Sequence, residues 1–104
     1  MYARFAEIVV KPGKLDDFSK TMREHVMPML KTAPGFIDLV VMVSEQEPRA
    51  VLAFSLWRSR QDAERYTLEQ FPVLHEMVQP LINSGSEVRN FDVCVSMLYE
   101  LQGL

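Results

Sequence analysis

The run Val51 to Tyr66, Val-Leu-Ala-Phe-Ser-Leu-Trp-Arg-Ser-Arg-Gln-Asp-Ala-Glu-Arg-Tyr, constrains this chain more than any other stretch. From Val51 to Trp57 it is apolar or small, β-prone and free of Gly and Pro, which is the composition of a buried strand. Ser59 then stands where a helix N-cap belongs, with Asp62 three residues on as a variant of the capping box. A strand must therefore end at about Arg58 and a helix must start almost at once.

The same change of period recurs along the chain. Tyr2 to Val10 is rich in Phe, Ile and Val and is stopped by Lys11-Pro12-Gly13, which predicts a first strand. Leu15, Phe18, Met22, Val26 and Met29 then recur at spacings of three and four, with Asp16 and Asp17 in the first turn, as in an amphipathic helix. Pro28 lies inside this pattern and predicts a kink, or a break one turn early. After the turn Thr32-Ala33-Pro34-Gly35, a strand is expected over Phe36 to Glu45, with Ile37, Leu39, Val41 and Val43 on one face and Phe36, Asp38, Val40 and Met42 on the other. The short polar link Gln46 to Arg49 makes the Ala50 to Trp57 strand its antiparallel neighbour. Helices are expected over about Gln61 to Gln70 and from Pro72 to Ile82, and a last strand over Glu87 to Leu101.

This order is the α+β, ferredoxin-like βαββαβ arrangement: a four-stranded antiparallel sheet with helices on one face, in a single domain over residues 1–104. The helices cover one face of the sheet. Alternation assigns Phe36, Val40, Met42, Val51, Trp57 and Leu98 to the other, mixed with Asp38, Ser55, Asn90, Asp92 and Ser96. At roughly 25 cal/mol per Å², exposing six such apolar side chains forgoes on the order of 10 kcal/mol, comparable with the stability of a whole domain. A second copy is expected to cover this face, making a homodimer with a mixed apolar and polar pocket for a small molecule.

The junction Phe54-Ser55-Leu56-Trp57 followed by a short polar link and a helix with an early Ala63 resembles that of the antibiotic biosynthesis monooxygenase family, in the dimeric α/β-barrel superfamily. The resemblance runs through nearly the whole chain. It implies a homodimer in which each sheet is closed by its partner into a barrel. It further implies a cofactor-independent monooxygenase that oxidises a small electron-rich aromatic, a quinol or an anthrone, with dioxygen. In such members a Trp at this strand end lines the substrate cavity, and Trp57 matches it. The Asn that some of them place two pleats earlier is here Ala53. The haem-degrading branch of the family uses a His on the later helix as its iron ligand, with a second Trp and a first-strand Asn. His75 matches that ligand, whereas Tyr66 stands near the second Trp and Ala6 or Glu7 near the Asn, so haem is the alternative cofactor.

The catalytic candidates are therefore Trp57 and two carboxylates, Asp38 and Asp92, which would act as bases if an apolar cavity raised their pKa values. Phe36, Met42, Ser55, Tyr66 and His75 are the candidate substrate contacts. Trp57 is equally what a strand needs as a packing anchor. His25 beside Met22 and Val26 is a boundary residue, and Tyr99 could hydrogen-bond a phenolic substrate.

Several classes are excluded or disfavoured. The 11 basic residues are outnumbered by 14 acidic ones and scattered, which is no nucleic-acid footprint. Cys94 is the only cysteine, so there is no internal disulfide and no cysteine-based zinc site. No run is apolar enough to span a membrane and the N-terminal stretch carries Glu7 without a cleavage signal, so a cytoplasmic protein is expected. No phosphate loop, nucleophile elbow or His/carboxylate metal motif is present.

Overall fold

The computed structural model describes residues 1–83 and 87–97. Four strands, β1 (Tyr2–Val9), β2 (Phe36–Val43), β3 (Ala50–Trp57) and β4 (Glu87–Asp92), form one antiparallel sheet in the order β2-β3-β1-β4. Between β1 and β2 the chain runs through α1 (Leu15–Thr21), a π-helical turn (Met22–Val26) and α2 (Met27–Leu30). Between β3 and β4 it forms α3 (Arg60–Glu69), α4 (Phe71–Val78) and a short 3₁₀ turn (Gln79–Leu81). The helices pack on one face of the sheet, which is the expected ferredoxin-like arrangement.

The strand-to-helix junction forms as its residues dictate. Trp57 ends β3, and the Ser59 hydroxyl accepts a hydrogen bond from the Asp62 amide at 3.1 Å while donating to the Asp62 carboxylate at 3.0 Å. Gly35 lies in the left-handed region with φ of 78°, and its carbonyl accepts from the Arg58 amide at 2.8 Å, which ties the turn before β2 to the end of β3.

The first helix does not stop at Pro28. In an α-helix the proline ring would meet the carbonyl of Glu24. Here the preceding turn is already widened, with the Met27 amide bonding to the Met22 carbonyl five residues back, and the helix continues to Leu30. The expected break is thus a change of hydrogen-bond register one turn before the proline.

The face assignment of the sheet needs correction. Register pairs Arg4 with Ser55 and Asn90, and Tyr2 with Trp57 and Asp92. These residues share the face on which the helices lie, so Val51, Ser55 and Trp57 belong to the core and not to the helix-free face. Phe36 joins them because a bulge between Phe36 and Asp38 shifts the alternation of β2 by one residue. Asp38, Val40 and Met42 do lie on the helix-free face, together with Phe5, Leu52, Phe54 and Phe91. β4 ends at Asp92, short of the expected strand, and the expected positions of Leu98 and Tyr99 lie outside the described residues.

Candidate functional site

Between the helix-facing side of the sheet and the helices is a cavity of about 70 Å³. Its walls are apolar: Phe18, Met22, Val26 and Leu30 from the first helix, Ala6, Ile8, Leu39 and Ala53 from the sheet, and Phe71, Leu74 and Val78 from the last helices. Four groups with polar atoms interrupt them, Arg4, Ser55, Tyr66 and His75. A mostly apolar enclosure with a few convergent polar groups is the form of a small-molecule site.

Each polar group is fixed by the fold. Ser55 is buried on β3, where its hydroxyl accepts from the Trp57 indole N–H at 3.0 Å and donates to the Arg4 carbonyl at 3.4 Å. Tyr66 sits one helical turn after Ala63 and stacks on Trp57, with ring centroids 4.8 Å apart. Burial pushes its phenol above the ordinary tyrosine value, while the nearby Arg4 charge opposes that rise. His75 on α4 is half-buried with its ring 5.8 Å from that of Phe71.

Arg4 went unnoticed in the sequence, although it is the one cation within an apolar strand and shares a face with Tyr2, Ala6 and Ile8. Only 7% of it is exposed. Its guanidinium lies over the Phe71 ring at 4.5 Å and the Tyr66 ring at 5.5 Å. No carboxylate pairs with it among the described residues. Burial lowers its pKa from the ordinary arginine value, with Tyr66 acting in the opposite sense. An arginine nevertheless stays charged in a protein.

The sequence candidates separate into two groups. Ser55, Tyr66 and His75 come together around the cavity. Trp57 is completely buried behind them; it holds Ser55 and Tyr66 but does not line the space, contrary to what the resemblance implies. Phe36 packs edge-on against Trp57 at 5.5 Å. Asp38, Asp92 and Met42 are exposed and away from the cavity. Asp38 accepts a hydrogen bond from the Leu39 amide at 2.8 Å on the far side of the sheet, and Asp92 closes the edge strand. The apolar burial that would make either a base is missing. His25 is exposed, as expected of a boundary residue.

Haem does not fit this cavity. Pockets that enclose a drug-sized ligand measure roughly 300–1,000 Å³, several times the 70 Å³ beside His75. Among the described residues no group of three or more His, Cys, Asp or Glu side chains is placed to hold a metal ion. No helix among them is long and apolar enough to cross a membrane.

The fold defines a small α+β protein with an apolar cavity between an antiparallel sheet and its helices. The chain belongs to the antibiotic biosynthesis monooxygenase family, whose model matches residues 1–69. Among solved structures it is similar to SnoaB, a cofactor-independent oxygenase from Streptomyces nogalater, with 12% identity, 92% of this chain and 95% of that one covered, and a TM-score of 0.78. A protein from Nitrosomonas europaea assigned to the antibiotic biosynthesis monooxygenases gives 16% identity, 91% and 100% coverage and a TM-score of 0.75. A conserved protein from Methanosarcina mazei Go1 gives 16%, 86% and 89%, and 0.73. No curated protein sequence matches this chain.

Proposed function

We propose that this chain is a cofactor-independent monooxygenase that oxidises a small electron-rich aromatic, a quinol, with dioxygen. The observation that carries this reading is the apolar cavity bordered by Ser55, Tyr66 and His75 in a chain of this family. A quinol needs no metal or flavin to be oxidised once it has lost a proton, because its anion can itself pass an electron to dioxygen. Loss of a proton, exclusion of water and a fixed orientation are then what the protein supplies. The balance closes on the substrate alone: one atom of dioxygen bonds to a ring carbon, the other leaves as water with two hydrogens of the quinol, and the quinol supplies every electron. A hydroxylated quinone is the product.

His75 is the base in this reading, since its imidazole borders the cavity and has no hydrogen-bond partner among the described residues. Tyr66 and Ser55 orient the substrate oxygens, and Trp57 holds both in place. Asp38 and Asp92 have no part in the proton transfer, given where they lie.

The active form in this reading is a homodimer. On the helix-free face Phe5 packs on Phe54 at 4.7 Å and on Phe91 at 5.5 Å, beside the exposed Val40 and Met42. Such a contiguous apolar patch is what a second copy would cover.

Oxygen uptake by the purified, metal-free protein on a panel of hydroquinones and naphthoquinols tests the reading, with an autoxidation control. Uptake well above autoxidation that falls by about a hundredfold or more in His75→Ala is the expected result. Uptake no faster than autoxidation across the panel would remove it and leave a non-catalytic binding protein.

A further inference from the structure

We infer that the cavity takes a small ligand, no larger than a single ring, that carries an anionic oxygen, and that Arg4 is the residue that binds that oxygen. The inference rests on the ligand-binding part of the reading above and narrows it to a size and a charge.

The charge comes from Arg4. A guanidinium has five N–H donors and no acceptor capacity, and burying it is costly unless an anion or several acceptors meet it. Arg4 is more than nine-tenths buried, borders the cavity and is paired with no carboxylate among the described residues. Its guanidinium carbon lies over two aromatic rings, Phe71 at 4.5 Å and Tyr66 at 5.5 Å. Such contacts hold a cation but supply its N–H groups with no oxygen acceptor. The other polar groups on the cavity do not neutralise it: the Ser55 hydroxyl gives its proton to the Arg4 carbonyl, and the Tyr66 phenol is held in its neutral form by burial. The missing partner is an anion that enters with the ligand.

The size comes from the enclosure. At about 10–15 Å³ for each water-sized atom, 70 Å³ holds roughly five to seven such atoms, so a single ring is the upper limit and three fused rings are far beyond it. Phe71, Tyr66 and Phe18 give that ring apolar walls. An anthrone is therefore too large for this enclosure, and a monocyclic quinol, bound as its phenolate, is the upper size limit within the proposed substrate class. A ring carboxylate presents the same anionic oxygen to Arg4, and the two sources are separable by experiment.

Binding is measured directly on the intact protein through Trp57 fluorescence, using benzoate, 4-nitrophenol, their neutral counterparts benzamide and nitrobenzene, and the three-ring anion 9-anthracenecarboxylate. The expected result is an anion bound about tenfold to a hundredfold more tightly than its neutral counterpart, with the three-ring anion excluded. A drop in the apparent pKa of bound 4-nitrophenol, followed by its visible absorbance, points to an ionised ring hydroxyl as the natural group. Binding of benzoate without that drop points to a carboxylate. Arg4→Met, checked for folding by circular dichroism, is expected to abolish the preference. Equal affinity for charged and neutral rings, no binding of either anion up to its solubility, tight binding of the three-ring anion, or an unchanged preference in Arg4→Met would each overturn the inference. The wild-type comparisons stand even if the variant does not fold. Anion binding without oxygen uptake would remove the oxygenase reading and keep this one; uptake on neutral quinols without anion preference would do the reverse.

Discussion

The Trp57 indole N–H donates to the Ser55 hydroxyl at 3.0 Å, two residues back along the same strand. One fully buried ring thereby fixes a polar atom on the cavity wall. Trp57→Ala is expected to cost about 3–5 kcal/mol, read as a shift in the urea midpoint by far-UV circular dichroism. Ser55→Ala leaves the indole N–H buried without a partner, at about 1–3 kcal/mol. Adding Ser55→Ala to Trp57→Phe should cost clearly less than the sum of the single changes, because the first substitution already removes the donor.

Gly35 and Asp62 set a second test. A β-carbon at Gly35 would collide with the Asp62 carboxylate, and the backbone there has a φ of 78°. Gly35→Ala combines a left-handed backbone penalty of about 1–2 kcal/mol with damage to a helix cap of about 1 kcal/mol. Denaturant unfolding should show a loss of about 2–3 kcal/mol. In an Asp62→Ala background the glycine substitution should cost somewhat less, since the carboxylate is gone and only the β-carbon at position 62 still stands in the way.

The Gln70 side-chain oxygen is buried with no hydrogen bond among the described residues, at the junction of α3 and α4. Replacing an unsatisfied acceptor by an apolar group of similar length removes a desolvation cost. Gln70→Met should raise stability by about 1 kcal/mol, visible as a higher melting temperature. A lower melting temperature would mean that this oxygen has a partner in solution.

Alkaline pH should weaken the fold through Tyr66. Its folded pKa is raised by burial, so the folded state holds the phenol proton more tightly than the unfolded chain does. The stabilisation is fully present below the ordinary tyrosine pKa of about 10 and is lost as pH rises from there through the higher folded value. Tyr66→Phe should flatten the fall in stability over that alkaline window. Its neutral-pH stability should stay within about 1 kcal/mol of the parent.

Val40 is 39% exposed on the helix-free face. Val40→Glu should leave the monomer folded but place a charge within the proposed dimer contact. Sedimentation velocity over a range of concentrations should then show a dimer for the parent chain and a monomer for the variant. Identical sedimentation of the two would argue against this face as the contact.

The elements were legible in the sequence because local signals coincide there: Ser59 with Asp62 caps α3, Pro72 lies in the first turn of α4, and Lys11-Pro12-Gly13 follows β1. Strand faces were harder, because β2 and β3 alternate apolar residues on both sides and strand periodicity does not say which side the helices take. The bulge at Phe36 has no marker in the sequence. Arg4 was missed for a related reason: a single arginine on a strand ordinarily points to solvent, and only the pairing of β1 with β3 turns it inward. Ser55, Tyr66 and His75 were found as candidates, but their company around one cavity is a product of tertiary packing.

The widened turn at Met22–Val26 bears on how length changes in this chain are to be understood. Phe18, Met22, Val26 and Leu30 are all buried on the cavity side at intervals of four residues. In an unbroken α-helix residues four apart drift by about 40° at each step, so the last would turn well away from the first. The wide turn takes up part of that drift and keeps the four in phase with the sheet. Removing one residue from it would let an ordinary α turn replace the wide one and change the spacing to four, three and four, which an α-helix at about 100° per residue keeps within about 40° of one line, so Leu30 would stay on the cavity wall. For this helix, the wide turn is the place where a one-residue change of length is most readily absorbed.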